Sequence, residues 1–170
     1  MCRDEYEFFI AHASADRVFA EKIFDLLSVE TRVFLDTRCL LPGDDWQTVI
    51  QAAQRRSRAT IVLISDRTDK AFYEGEEIAA AIALCREEGS THRVIPVYCS
   101  GVSPSEVPYG LRRKHALWIT EHTPVEQVVA RLLDLPRDRP GEHLRPGTER
   151  RRRHCHLDLP NEVEVAATLM

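Results

Sequence analysis

The sequence predicts an α/β domain: a doubly wound, five-stranded parallel sheet with strand order 2-1-3-4-5 and helices on both faces. Short apolar runs alternate with stretches of helical periodicity through residues 1–134, which is the pattern of strands joined by crossover helices. One run, residues 59–64, is continuous and rich in β-branched side chains, as in a strand that helices cover on both faces. The length of 170 residues and the hydrophobic fraction of 44% suit one domain with an ordinary core.

Each predicted element follows from a local pattern. The strands are predicted at residues 6–10, 32–35, 59–64, 94–98 and 116–119, and apolar spacing predicts helices around residues 18–27, 46–53, 78–85 and 124–133. Ser14 or Asp16 is a candidate cap of the first helix, and Asp44 or Asp45 is a candidate cap of the second. Pro96, inside the fourth strand, predicts a position near the edge of the sheet.

The character of the sequence changes after residue 134. Residues 135–153 are rich in proline, glycine and arginine, which is typical of a linker. Residues 154–170 are expected to form at most one hairpin, or to begin a further domain that continues past Met170. The triplet His154, Cys155 and His156 is a possible metal ligand set, but no third group of ligands accompanies it, so no metal site is expected.

Composition argues against several function classes. The formal net charge is −4, with the acidic excess in residues 1–134, so we expect no nucleic acid to bind there. The longest uninterrupted apolar run, residues 78–85, is far shorter than the ~20 residues of a membrane span, so no membrane contact is expected. The five cysteines are scattered without a C-x-x-C pair, and no apolar signal segment begins the chain. A reducing, cytoplasmic location is therefore expected.

In this strand order, a ligand crevice is expected where the order reverses, outside the carboxyl ends of strands one and three. Residues 10–16 and 65–77 follow those ends, so two segments that are distant in sequence are predicted to meet. His12 lies at this crevice, and the free amides of the following helix offer a seat for a pyrophosphate. Structural interpretations also stay open, because Trp46 at helical spacing suits the core and Arg38 suits an exposed loop.

Four segments resemble the Toll/interleukin-1 receptor (TIR) domain family in order and content. They are FFIAHASAD at residues 8–16, LPGDDW at 41–46, IVLIS at 61–65 and YEGEEI at 73–78. The resemblance covers about residues 5–134 and implies the same doubly wound fold. The sequence departs from the family at Ala11, where serine is usual, and at Tyr73 and Glu74, which replace a Trp-Cys pair.

The resemblance also implies an activity. Bacterial and plant members that keep a glutamate after the third strand cleave NAD+ between ribose and nicotinamide, and Glu77 falls on that position. Glu77 is therefore the expected catalytic residue, although Glu74, Glu76 and Glu77 also suit the first turn of a helix, where acids favour the dipole. NAD+ is the expected substrate, with no cofactor. The residues expected to contact it are Ala11, His12, Ala13, Ser14, Arg38, Trp46 and Tyr73.

One carboxylate is enough for this reaction. Nicotinamide is cationic in NAD+ and leaves as a neutral molecule, so it needs no proton from an acid, and the paired carboxylates of ordinary glycosidases are dispensable. The remaining task is to stabilise an oxocarbenium-like ribose, which a nearby carboxylate does by its charge or by holding the ribose hydroxyls.

The resemblance implies activation by self-association through TIR domains, or by a sensor domain or protein, in a bacterial immune or cell-death response to phage. The loop at residues 36–45 is expected to gate the site and touch a neighbouring copy, with Leu40 and Leu41 exposed. Two alternatives stay open. One is a TIR module that recruits partners without turnover, and the other is an enzyme like the nucleoside deoxyribosyltransferases, which use a glutamate as nucleophile.

Overall fold

The strands form one parallel sheet with the order β2-β1-β3-β4-β5. A computed structural model describes residues 6–66, 68, 72–99, 102, 107 and 110–135, with only the backbone for residues 72–74. This architecture confirms the predicted fold class and strand order. The strands of the described residues are β1 (Tyr6–Ala11), β2 (Val33–Phe34), β3 (Ser57–Ile64), β4 (Arg93–Tyr98) and β5 (Leu117–Trp118).

Helices connect these strands on both faces of the sheet. A 3-10 turn (Ser14–Asp16) leads from β1 into the first helix. The helices of the described residues are α1 (Arg17–Ser28), α2 (Asp36–Cys39), α3 (Trp46–Arg55), α4 (Phe72–Arg86) and α5 (Val125–Leu133). The short helix α2 was not predicted and lies within the segment predicted to be a loop. It forms because the Leu35 carbonyl accepts hydrogen bonds from both the Arg38 and Cys39 amides, while the Asp36 carboxylate accepts one from the Thr37 amide.

Alternate residues of the central strands face two separate cores. Phe8 and Ile10 of β1 pack on the side covered by α1 and α5, whereas Phe9 and Ala11 pack on the side covered by α3 and α4. The same alternation in β3 explains why residues 61–64 are continuously apolar, because both faces of the strand are buried there. Because helices cover both faces of the sheet, a ligand site is expected at the carboxyl ends of the strands.

Pro96 lies near the edge of the sheet, as predicted, because its strand β4 is the neighbour of the edge strand β5. Pro96 pairs with Val62 of β3 on one side, whereas the edge strand β5 pairs only with Val97 and Tyr98. Pro96 therefore lies next to the short edge strand but takes no part in the pairing with it.

The predicted linker and tail lie outside the described residues from residue 136 onward, so the domain boundaries stay predictions. Within the described part of the chain, no helix has both the length and the apolar character needed to cross a bilayer.

Candidate functional site

A cavity of about 510 Å³ opens where the strand order reverses. Its walls come from the residues after β1 and β2 and from the helices α1, α3 and α4, although these segments are far apart in sequence. The lining residues are His12, Ser14, Arg17, Asp36, Thr37, Leu40, Trp46, Ile50 and Glu77.

A hydrogen bond joins the turn after β1 to the end of β3. The Ser65 hydroxyl donates to Asp16 Oδ2 at 2.5 Å. Asp16 lies at the N-cap position of α1, but its side chain makes no capping hydrogen bond there. The expected capping role of Ser14 and Asp16 is therefore wrong, because the 3-10 turn places Ser14 a turn before α1 and the carboxylate of Asp16 faces the third strand's end.

His12 forms a buried wall of the cavity. Its side chain is only 5% exposed, and its Nδ1 lies 3.9 Å from Oδ1 of Asp36. Burial lowers the pKa of His12 below the ordinary value of 6.5, and this effect outweighs the carboxylates of Asp36 and Asp16, which raise it. The imidazole is therefore neutral at pH 7 and acts as a hydrogen-bonding surface rather than as a cation.

Glu77 reaches the same cavity from α4. Its side chain is half-buried, and its backbone carbonyl accepts a hydrogen bond of 2.9 Å from the Gln54 side-chain amide. Because α4 begins at Phe72, Glu76 and Glu77 lie in its second turn and not in the first turn as expected. The interaction with the helix dipole falls off within the first turn, so it offers a weaker structural reason for an acid here.

Trp46 lies at the cavity and not in the core. It is 45% exposed and is the first residue of α3, so it stands above the carboxyl ends of the strands. The interpretation of Trp46 as a core residue is therefore wrong. Asp45 occupies the predicted N-cap position of α3, but its side chain makes no capping hydrogen bond there. Its carboxylate accepts from the Thr48 hydroxyl at 2.7 Å, and the Asp44 carboxylate accepts from the Leu41 amide at 2.9 Å.

The sequence predicted Arg38 as the cation at the cavity, but Arg17 lies there instead. Nη2 of Arg38 lies 3.4 Å from Glu21 and 3.5 Å from Asp25 on α1, and Arg38 is not among the residues that line the cavity. Arg17, which was missed, does line it, and its Nε donates to Glu21 at 2.8 Å. The signal in the sequence was its position directly after the Ser-Ala-Asp turn that follows β1.

The other expected contacts are placed as follows. Ala11 and Ala13 are 0% and 2% exposed and are not among the residues that line the cavity. The side chain of Tyr73 lies outside the described part of the structure. Leu40 is half-buried against the core beside α3 and lines the cavity, so the expectation that it is exposed is wrong, whereas Leu41 is 70% exposed.

The described residues hold no cluster of three or more His, Cys, Asp or Glu side chains with the geometry of a metal site. The triplet His154, Cys155 and His156 lies outside these residues. The cysteines of the described part, Cys39, Cys85 and Cys99, are unbridged thiols.

Comparison with known proteins identifies the class. The sequence model of the TIR domain matches residues 8–133. The chain belongs to the TIR domain family. The match favours both TIR-based interpretations over the one that likened the chain to nucleoside deoxyribosyltransferases. A comparison with curated proteins gives no match.

Solved structures share the fold. The TIR domain of the Toll-related receptor TRR-2 from Hydra magnipapillata is 25% identical, with a TM-score of 0.58 over 75% of this chain and 94% of its own. A metazoan TIR-STING receptor from C. gigas, in complex with 2',3'-cGAMP, is 22% identical with a TM-score of 0.65 over 79% of this chain. The chain spans 41% of that receptor's length. The TIR domains of the activated Roq1 resistosome, which directly recognises the pathogen effector XopQ, are 22% identical with a TM-score of 0.52 over 59% of this chain and 61% of their own.

Proposed function

We propose that this chain cleaves the bond between nicotinamide and ribose in NAD+, with Glu77 as the catalytic carboxylate. The observation that carries the proposal is the meeting of Glu77 with His12 and Ser14 in one cavity of about 510 Å³ at the switch point of a TIR domain. Small-molecule sites in proteins range from about 300 to 1,000 Å³ and favour the switch points of such sheets.

The charges around the cavity suit the two charged parts of this substrate. Asp36 and Glu77 supply negative charge on the sides formed by α2 and α4, and Arg17 supplies positive charge at the start of α1. NAD+ carries a cationic pyridinium ring and an anionic pyrophosphate. We assign the pyridinium and its ribose to the side of Glu77 and the pyrophosphate to Arg17, in place of Arg38.

The proposed reaction is a heterolysis that needs one carboxylate. The C–N bond breaks with its electron pair going to nicotinamide, which leaves neutral, while positive charge develops on the ribose. Glu77 stabilises that charge. Water then adds to the ribose carbon and loses a proton, which gives ADP-ribose; attack by a nitrogen of the same substrate molecule instead gives a cyclic product. Neutral His12 offers a hydrogen-bonding wall that does not repel the pyridinium.

Self-association belongs to the same proposal. Leu41 is 70% exposed on the loop that leads to Trp46 at the cavity, and an apolar side chain of that size gains free energy when a second copy covers it. We place the activating signal in a partner or in a sensor domain, and the biological role in a bacterial immune or cell-death response. A TIR module that only recruits partners is the second candidate, which the same exposed leucine favours.

The experiment is to incubate the purified chain with NAD+ over a wide range of protein concentrations and to measure free nicotinamide by chromatography. Release that grows with protein concentration supports the proposal, and the accompanying product distinguishes ADP-ribose from a cyclic form. If nicotinamide stays at the level of the buffer control while light scattering shows an assembled protein, the chain is an interaction module.

A further inference from the structure

The buried side-chain amide of Gln54 donates a hydrogen bond to the backbone of the candidate catalytic residue. Gln54, near the end of α3, is only 2% exposed, and its Nε2 donates to the backbone carbonyl of Glu77 on α4 at 2.9 Å. Glutamine is rarely this deeply buried, because an amide that loses water must be satisfied by protein groups. A helix carbonyl has two lone pairs, so it accepts this bond in addition to the one within the helix.

The position of Gln54 on α3 connects this bond with the cavity. Trp46, Ile50 and Gln54 follow one another at intervals of four residues and therefore share one stripe of α3. Trp46 and Ile50 line the cavity together with Glu77, while Gln54 bonds to the main chain of Glu77. The bond therefore fixes the height and rotation of α4 relative to the stripe that forms the opposite wall.

We infer that Gln54 is a positioning residue, which holds Glu77 in register with Trp46 and Ile50. The inference rests on the proposed function for its catalytic consequence. Apolar packing between α3 and α4 alone permits small slides and rotations, whereas a hydrogen bond to one particular carbonyl specifies a single arrangement. Catalysis depends on such precision, since a displacement of about 1 Å can cost about a hundredfold in rate.

The first test compares Gln54→Leu with Thr60→Val. Leucine fills similar space but donates no hydrogen bond to the Glu77 carbonyl. Thr60 is a matched control, because it is fully buried on β3 and its hydroxyl bonds to His92 Nε2 at 3.0 Å, away from the cavity. We expect both variants to lose thermal stability, but only Gln54→Leu to lose kcat, by about ten- to a hundredfold with KM changed less than about twofold.

A second variant supplies a readout that a purely structural role does not move. In Gln54→Glu the ionised carboxylate donates no hydrogen bond and repels the carbonyl, whereas the protonated carboxyl group donates as the amide does. Burial raises the pKa of such a group. The kcat of Gln54→Glu relative to the wild type is therefore expected to rise as the pH is lowered, while the corresponding ratio for Thr60→Val stays flat.

Hydrogen exchange separates this inference from the proposed function. The amide exchange of residues 77–81 is expected to be faster in Gln54→Leu than in Thr60→Val at matched stability. A wild type without NAD+ cleavage overturns the proposed function, and faster exchange at 77–81 then still supports the anchoring role of Gln54. Equal exchange in the two variants overturns the inference, and so does an active wild type whose kcat is unaffected by Gln54→Leu.

Discussion

The hydroxyl of Ser65 donates a hydrogen bond to the carboxylate of Asp16, and this contact joins the turn after β1 to the end of β3. The two residues are 49 positions apart in the chain. The bond holds the turn that carries His12 and Ser14 against the strand that precedes α4. The two halves of the candidate site thus depend on a polar contact that the apolar pattern of the sequence does not reveal.

We expect Ser65→Ala to lower the free energy of unfolding by about 1–3 kcal/mol, because a part-buried carboxylate loses a donor. Thr48→Ala is the matched control, since the Thr48 hydroxyl donates to the carboxylate of Asp45 at an exposed site and its loss changes stability by within about 0.5 kcal/mol. Urea denaturation measures both. Equal losses in the two variants would show that the Ser65 bond is no stronger than a surface contact.

Arg17 and Arg38 form a natural pair for testing the pyrophosphate assignment. Both contact Glu21, but only Arg17 lines the cavity. Arg17→Ala is expected to raise KM for NAD+ by about ten- to a hundredfold with little change in kcat, because a charge-assisted contact to phosphate is lost. Arg38→Ala is expected to leave KM within about twofold of the wild type. Steady-state kinetics measure both KM values. A larger increase in KM for Arg38→Ala than for Arg17→Ala would return the pyrophosphate contact to Arg38.

The titration of His12 predicts a pH dependence of stability. Burial lowers its pKa in the folded state below 6.5, so the folded state binds this proton less readily than the unfolded state does. The contribution of neutral His12 to the free energy of unfolding is fully present above about pH 6.5 and is lost as the pH falls through the lower pKa of the folded state. We expect thermal unfolding of His12→Gln to depend less on pH than that of the wild type between pH 7.5 and 5. Parallel curves would contradict a buried, neutral imidazole.

The loop beside the cavity is tested by two single substitutions. Leu41 is exposed, whereas Leu40 packs against the core and lines the cavity. Leu41→Asp is expected to keep the melting temperature but to abolish the rise in specific activity with protein concentration. Leu40→Asp is expected to lower the melting temperature as well. Specific activity of the wild type is also measured over a hundredfold dilution, with light scattering to follow its assembly. If the specific activity stays flat, assembly does not activate the protein.

The sequence was sufficient for the sheet and its order, because burial on both faces leaves a continuous apolar strand such as residues 59–64 and crossover helices leave a 3.6-residue period. It was also sufficient to place His12, Ser14 and Glu77 at the crevice. The sequence was insufficient where the direction in which a side chain faces determines whether it lines the cavity. Trp46 has the spacing of a core residue, yet its place at the first turn of α3 turns it toward the cavity.

The choice between Arg17 and Arg38 shows the same limit. Both arginines follow the end of a strand near the crevice, and composition alone does not tell which one faces it. Both arginines pair with Glu21, and Arg38 pairs with Asp25 as well, so what distinguishes them is that only Arg17 lines the cavity. The contact between Gln54 and Glu77 was likewise unpredictable, because it depends on how two helices are registered in space.

The most direct measurement is nicotinamide release from NAD+ by Glu77→Gln, compared with the wild type and with Glu76→Gln. Glu76 is exposed and adjacent on α4, so its substitution removes the same charge beside the site. With circular dichroism showing all three proteins folded, we predict that Glu77→Gln loses release by at least about a hundredfold, while Glu76→Gln stays within about threefold. If Glu77→Gln retains more than a tenth of the wild-type rate, Glu77 is not the catalytic carboxylate.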